Sequence, residues 1–120
     1  MTKYHAEHTW VRTEGDVAWV GITVHAQETL GDIVFVELPS IGASFAQGTV
    51  LGVVESVKAA ADVHMPASGT VLQVNEALRA DPSLANSDPE GEGWFCKVHL
   101  SELAELDGLM DVSTYAGFAG

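Results

Sequence analysis

Of the residues able to do chemistry, Lys58 has the most telling surroundings, at the centre of Glu55-Ser56-Val57-Lys58-Ala59-Ala60-Ala61-Asp62. With Val57 and Lys58 as the loop of a hairpin, Ser56 faces Ala59, Glu55 faces Ala60 and Val54 faces Ala61, so the lysine stands at the tip. Neither loop residue tolerates positive φ well, which predicts a type I turn or a slightly wider loop instead of a primed turn. An amine there, on a four-carbon stem among small or apolar neighbours, leaves room for an enzyme to close over it. Acylating that amine would exchange a compact charge for a long neutral arm, exposed at its far end and rigid at its base, which is what a group carrier needs. Glu55 and Asp62, on the strands leading from the tip, give a modifying enzyme charge and register for choosing this lysine over Lys3 and Lys97.

The other candidates form weaker patterns. His5 and His8 have the three-residue spacing that two metal ligands use on a helical turn, but here they lie in a tail entering a strand, with His25, His64 and His99 far away in sequence. The histidines read as solvated or internally satisfied. Cys96, the lone cysteine, sits in strand text between Phe95 and Lys97 and reads as an inert thiol. The carboxylates are scattered, as on a solvated acidic face. No phosphate-cradling loop, GxSxG elbow, HExxH helix or EF-hand pattern is present. No catalytic residue and no metal ligand is therefore expected.

The elements that must hold Lys58 are short strands, because the apolar residues recur with period two or in short blocks cut by glycine. His8 to Ile22 reads as two strands around a Glu14-Gly15 loop, which would set Trp10 opposite Trp19. Thr23 can cap a short helix through Val24–Leu30, stopped by Gly31. Asp32–Pro39 follows as a strand whose near-continuous apolar text predicts burial on both faces. Gly48–Glu55 matches Gly69–Glu76 at six of eight positions, 21 residues apart, suggesting a quasi-symmetric pair of strands. Pro66 ends the strand returning from the Lys58 tip. Ala77 to Gly93 reads as loop, Gly93–Leu100 as a last strand, and Ser101 and Asp111 as caps of two short C-terminal helices.

Composition narrows the partners. A chain of 120 residues, 47% hydrophobic and 18% charged, is sized for one packed domain. Seventeen Asp and Glu against five Lys and Arg give a formal charge of -12. Such a field repels phosphate, and no Lys/Arg stripe exists to bind nucleic acid or an anionic membrane. A lone cysteine fits a reducing compartment, and no apolar run is long enough for a membrane span or a signal peptide. A cytoplasmic, monomeric protein of bacterial type, without signal or transit peptide, is expected.

Several stretches in order resemble the glycine cleavage system H proteins: HTWVR, VGIT-x-HAQ-x-x-LGDIVFVELP, GVVESVKA, P-x-S-G at Pro66–Gly69, VNEAL, NSDP-x-GEGW and DVSTYAGF. They run from about Tyr4 to Phe118. The resemblance implies a mainly β, lipoyl/biotinyl-domain-like flattened sandwich of two antiparallel sheets, with an N-terminal hairpin and short peripheral helices. It implies one lipoyl-bearing domain over residues 1–120, with a lipoyl-type core at about 17–99 and C-terminal helices at 101–118. It further implies lipoate amide-linked to Lys58, one per chain, and a shuttle that is not itself an enzyme. Its dithiolane would accept an aminomethyl group from the glycine-decarboxylating P protein and yield it to the aminomethyltransferase, the T protein. The L protein, dihydrolipoyl dehydrogenase, would reoxidise the dithiol, and a lipoyl or octanoyl transferase or ligase would load the lysine.

Biotinyl domains usually present Met-Lys-Met and 2-oxoacid dehydrogenase lipoyl domains Asp-Lys-Ala, where this chain has Val57-Lys58-Ala59. One departure from the H-protein pattern bears on mechanism: the family typically reads His-Glu-Trp where this chain has His8-Thr9-Trp10. That acidic residue is associated with holding the loaded arm in a cleft, and Thr9 offers no carboxylate, leaving Glu7 and Asp62 as partners. Two other readings stay open on the residues: a lipoyl donor serving other lipoyl domains, and an unmodified β-rich interaction module.

Overall fold

The computed structural model describes residues 1–119. Among these residues nine strands form two antiparallel sheets in a flattened body of 37 × 34 × 21 Å. The larger sheet contains β1 (Thr2–His5), β2 (Thr9–Glu14), β3 (Val17–Ile22), β5 (Ser44–Phe45), β8 (Gly69–Val74) and β9 (Cys96–Leu100), in the order β1-β2-β3-β9-β8-β5. The smaller contains β4 (Ile33–Glu37), β6 (Val50–Ser56) and β7 (Ala60–His64), in the order β4-β6-β7. Helices α1 (Val24–Leu30), α2 (Glu76–Ala80), α3 (Leu84–Ser87) and α4 (Val112–Ala119), with a 3₁₀ turn at Leu103–Gly108, lie at the periphery. This is the mainly β, two-sheet sandwich with short helices that the sequence implied.

The sheets bury their facing valines against each other: Val11, Val20, Val71 and Val98 from the large sheet, Val36, Val54 and Val63 from the small one. Each such side chain contributes about 1.5–3 kcal/mol of apolar transfer, so the smaller sheet and its hairpin are held from beneath. The internal repeat is structural as well as textual. Its two copies begin β6 and β8, and pairing slips between Val50 and Gly52 in one and between Val71 and Gln73 in the other, again 21 residues apart.

Four expectations need correction. Trp10 faces Gly21, and Trp19 faces Arg12, because the β2–β3 loop is Gly15-Asp16. Gly15 takes φ +67 at the first central position, where a tight hairpin needs a residue free to adopt it; a Glu14-Gly15 loop would have put glutamate there. β4 is buried on one face only. It lies at the edge of its sheet, with no layer on its outer side, and a bulge between Ile33 and Phe35 turns both Val34 and Phe35 outward. The segment after Glu76 is not all loop, since α2 and α3 form there and anchor through buried Leu78 and Ala85. Ser101 caps nothing: the following turn is 3₁₀ and begins after Glu102.

Other local readings hold. Thr23 Oγ1 accepts from the Ala26 amide at 3.2 Å, Gly31 ends α1 at φ +78, and Asp111 Oδ1 accepts from the Thr114 amide at 2.8 Å. The N-terminal tail forms β1, pairing Tyr4 with Trp10. Tyr4, Trp10 and Tyr115 make a second cluster, with the two tyrosine rings stacked at 4.6 Å.

Trp10 is fully buried, and a Cβ at Gly21 would lie 2.8 Å from three atoms of its indole. Gly21→Ala is therefore expected to destabilise the fold by about 1–3 kcal/mol through overpacking, read as a lower urea midpoint at unchanged slope.

Candidate functional site: a lysine at a hairpin tip beside a cleft

The β6–β7 hairpin keeps the register predicted for it: Glu55 faces Ala60 and Val54 faces Ala61. The turn between them is built by Ser56. Its amide donates to the Ala59 carbonyl at 2.7 Å, and its hydroxyl donates to the same carbonyl at 3.0 Å while accepting from the Ala59 amide at 3.1 Å. Neither Val57 nor Lys58 has positive φ, as their side chains require.

A two-residue loop is not held by itself, and the tip is moored from outside the hairpin. The Val57 amide donates to the carbonyl of Asp32 at 3.0 Å. Asp32 is fixed in turn by Asn86 at the end of α3. The Asn86 Oδ1 accepts from the Ile33 amide at 2.8 Å, and its Nδ2 donates to the Gly31 carbonyl at 2.8 Å and to Gln27 Oε1 at 3.0 Å. One amide side chain thus grips the residues on both sides of Asp32.

Lys58 is exposed, and its stem lies over Gly31, where a Cβ would come within 3.6 Å of the Lys58 Cε. Among the described residues its ammonium has no ion pair or side-chain hydrogen bond. Lys3 and Lys97 lie within strands, Lys97 with its ammonium over the Trp19 ring at 5.1 Å. Lys58 is the lysine that a visiting active site can surround.

Beside the hairpin base runs a cleft of about 250 Å³, bounded by α1, the β2 entry and the β6–β7 strands. Ile22, Leu30 and Val54 give it apolar walls and Glu7 brings a carboxylate. Asp62, the other carboxylate expected there, borders the cleft from β7 but alternates with inward-facing Ala61 and Val63, so its side chain lies on the outer face of the sheet. Thr9 also lines it. Its side chain is buried and its hydroxyl has no hydrogen-bond partner, an expensive arrangement that a ligand group could relieve. His8 and His25 complete one wall, stacked at 4.4 Å between ring centroids, and Tyr115 hydroxyl lies 2.7 Å from His8 Nδ1. His8 holds φ +64, and burial, then the neighbouring His25, lowers its pKa, favouring the neutral ring.

The remaining candidates separate from the site. No group of three or more His, Cys, Asp or Glu among the described residues is placed to hold a metal ion. Burial pushes the Cys96 thiol up to about 12, so little thiolate exists near neutrality. Sequence reasoning missed Asp32, Asn86 and Glu90. Glu90 accepts from the Tyr4 hydroxyl and from the Val24 amide, both at 3.0 Å, tying the α1 start to β1. For Asn86 and Glu90 the signal was the NSDP-x-GEGW text as a motif, because their contacts join segments 53 to 86 residues apart.

A flattened two-sheet sandwich with an exposed lysine at the tip of a hairpin of its smaller sheet is a lipoyl/biotinyl-type domain. The glycine cleavage H-protein family model matches residues 2–119, and the chain belongs to that family. It is 59% identical over 115 residues to a glycine cleavage system H protein of Chromobacterium violaceum, covering 95% of this chain and 90% of that one. It is 53% identical to one from Symbiobacterium thermophilum, covering 97% and 91%. The crystal structure of a glycine cleavage system H protein from Mycobacterium marinum matches with a TM-score of 0.87 at 39% identity, over 97% of this chain and 94% of that one. No described helix is long and apolar enough to cross a membrane.

Asn86→Ala leaves the Ile33 amide and the Gly31 carbonyl without their partner, at a cost of about 1–3 kcal/mol. The Val57 amide should then exchange with deuterium at least about tenfold faster, beyond the loss of global stability measured at Val98 in the core of the large sheet.

Proposed function

We propose that this chain is the lipoyl carrier of glycine cleavage, with lipoate joined through an amide to Lys58 Nζ, and that it performs no catalysis itself. The observation that supports this most strongly is Lys58: an exposed amine, unpaired among the described residues, on a turn tied to the body at Asp32, in a chain that matches the H-protein family over nearly its whole length. Acylation uses the deprotonated amine as nucleophile and removes the charge of Lys58. When bound, the dithiolane supplies a pair of sulfur atoms that takes up the one-carbon unit and cycles between oxidised and reduced forms.

The residues present fit that group. Gly31 gives the lysine stem a smooth floor; a Cβ there would meet the stem at ordinary contact distance, and it is the φ of +78 that calls for glycine. The cleft has apolar walls for a hydrocarbon arm, and its polar groups suit a cationic end: the Glu7 carboxylate and the Thr9 hydroxyl, unpartnered among the described residues. His8, kept neutral by its surroundings, adds no repelling charge. Thr9 thus serves as a hydrogen-bond acceptor where the family typically has a carboxylate, and the charge comes from Glu7. In this reading the partners are glycine decarboxylase, aminomethyltransferase, dihydrolipoyl dehydrogenase and the enzyme that attaches the lipoyl group.

Lipoylated protein mixed with glycine decarboxylase should support exchange of labelled bicarbonate into the carboxyl group of glycine. Absence of exchange, with the adduct present, would remove the glycine-cleavage role and leave a lipoyl donor for other domains.

A further inference from the structure

We infer that the outer face of the β4–β6–β7 sheet is the surface on which partner enzymes seat while the Lys58 tip enters them, and that it fits an apolar recess ringed by lysines and arginines. The inference rests on the carrier reading for what the visitors are.

The register defines the surface. Phe35, Glu55 and Ala60 stand side by side across the three strands, and Glu37, Val53 and Asp62 form the next row. All six point away from the core, because their neighbours Val36, Val54, Ala61 and Val63 point into it. Apolar and acidic positions therefore alternate along and across the sheet, with neighbouring strands about 5 Å apart. Phe35 is 51% exposed, beside Val34 at 57%, and Val57 at the tip is 69% exposed. The edge bulge that displaces Val34 enlarges the apolar part of the patch.

Position ties this face to the lysine. Glu55 on β6 is three residues before Lys58 in the turn, within roughly 10 Å of it, so an enzyme that engulfs the tip must come to rest on these rows. Charge selects the visitor. The three strands contain no Lys or Arg, while Glu37, Glu55 and Asp62 are exposed, and acylation removes the Lys58 charge. A half-exposed aromatic flanked by carboxylates has the make-up of an interface anchor with a polar rim. An anionic lipid or nucleic acid would be repelled by the same carboxylates.

The test uses Phe35→Ser and Glu37→Lys, each lipoylated to completion by intact mass, in the exchange assay with glycine decarboxylase. Both positions are exposed, so neither change opens a cavity. The KM for the carrier is expected to rise about tenfold in each, with kcat within about twofold. The wild-type KM should rise with salt, and that dependence should weaken in Glu37→Lys. Leu72→Ser, at an exposed apolar position of β8 on the other sheet, should keep the wild-type KM. Wild-type KM values for Phe35→Ser and Glu37→Lys, or an equal rise in Leu72→Ser, would overturn the docking face while leaving the carrier reading intact. Loss of exchange in the lipoylated wild type would overturn both.

Discussion

A lysine can serve as the base of a swinging arm only if the backbone beneath it stays put, and here that depends on one hydrogen bond, from the Val57 amide to the Asp32 carbonyl at 3.0 Å. A two-stranded hairpin is marginal alone, and packing on its inner valines fixes the strands but not the turn. The bond to Asp32 ties the turn to the junction between α1 and β4, and Asn86 holds that junction on both sides. α1 is secured at its other end, where Thr23 caps it, Glu90 accepts from the Val24 amide, and Tyr115 of α4 lies 2.8 Å from the Thr23 hydroxyl. The peripheral helices and the long connection before β9 are thus parts of one support for a turn that none of them belongs to.

The same support shapes the cleft. α1 forms its wall, and His8 is held in its strained conformation by the hydroxyl of Tyr115 and by stacking on His25. Strain at such a residue costs on the order of 1–3 kcal/mol, and the buried Thr9 hydroxyl adds the cost of an unmade hydrogen bond. Costs gathered at one concave place, in a chain otherwise well packed, are the physical mark of a site prepared for an occupant.

Much of this was legible in the chain itself. The Lys58 hairpin could be read because loop length and the run of small residues after it fix the register locally, and the Thr23, Gly31 and Asp111 caps are equally local signals. The resemblance to H proteins carried the fold and the role. Where the reading failed, the deciding fact was not local. The apolar text of β4 looks the same whether or not a second layer covers the outer face of its sheet, and only an uncovered face leaves Phe35 in solvent. The Trp10 register turned on which of two adjacent loop positions receives a glycine. Asn86 could not be assigned from sequence because its three partners lie on segments that only folding brings together.

Charge joins the fold to the role. An acidic body with few lysines presents one of them at a tip, and acylation there would leave the surrounding carboxylates facing any visitor. The whole account rests on Lys58 being the residue that carries the lipoyl group, and the mass of the peptide containing it tests this most directly. After expression with lipoate and a lipoyl ligase, digestion should yield a single lipoylated peptide spanning Lys58, and Lys58→Ala should return the unmodified intact mass. A lipoyl group found on Lys3 or Lys97, or an adduct that persists in Lys58→Ala, would contradict it.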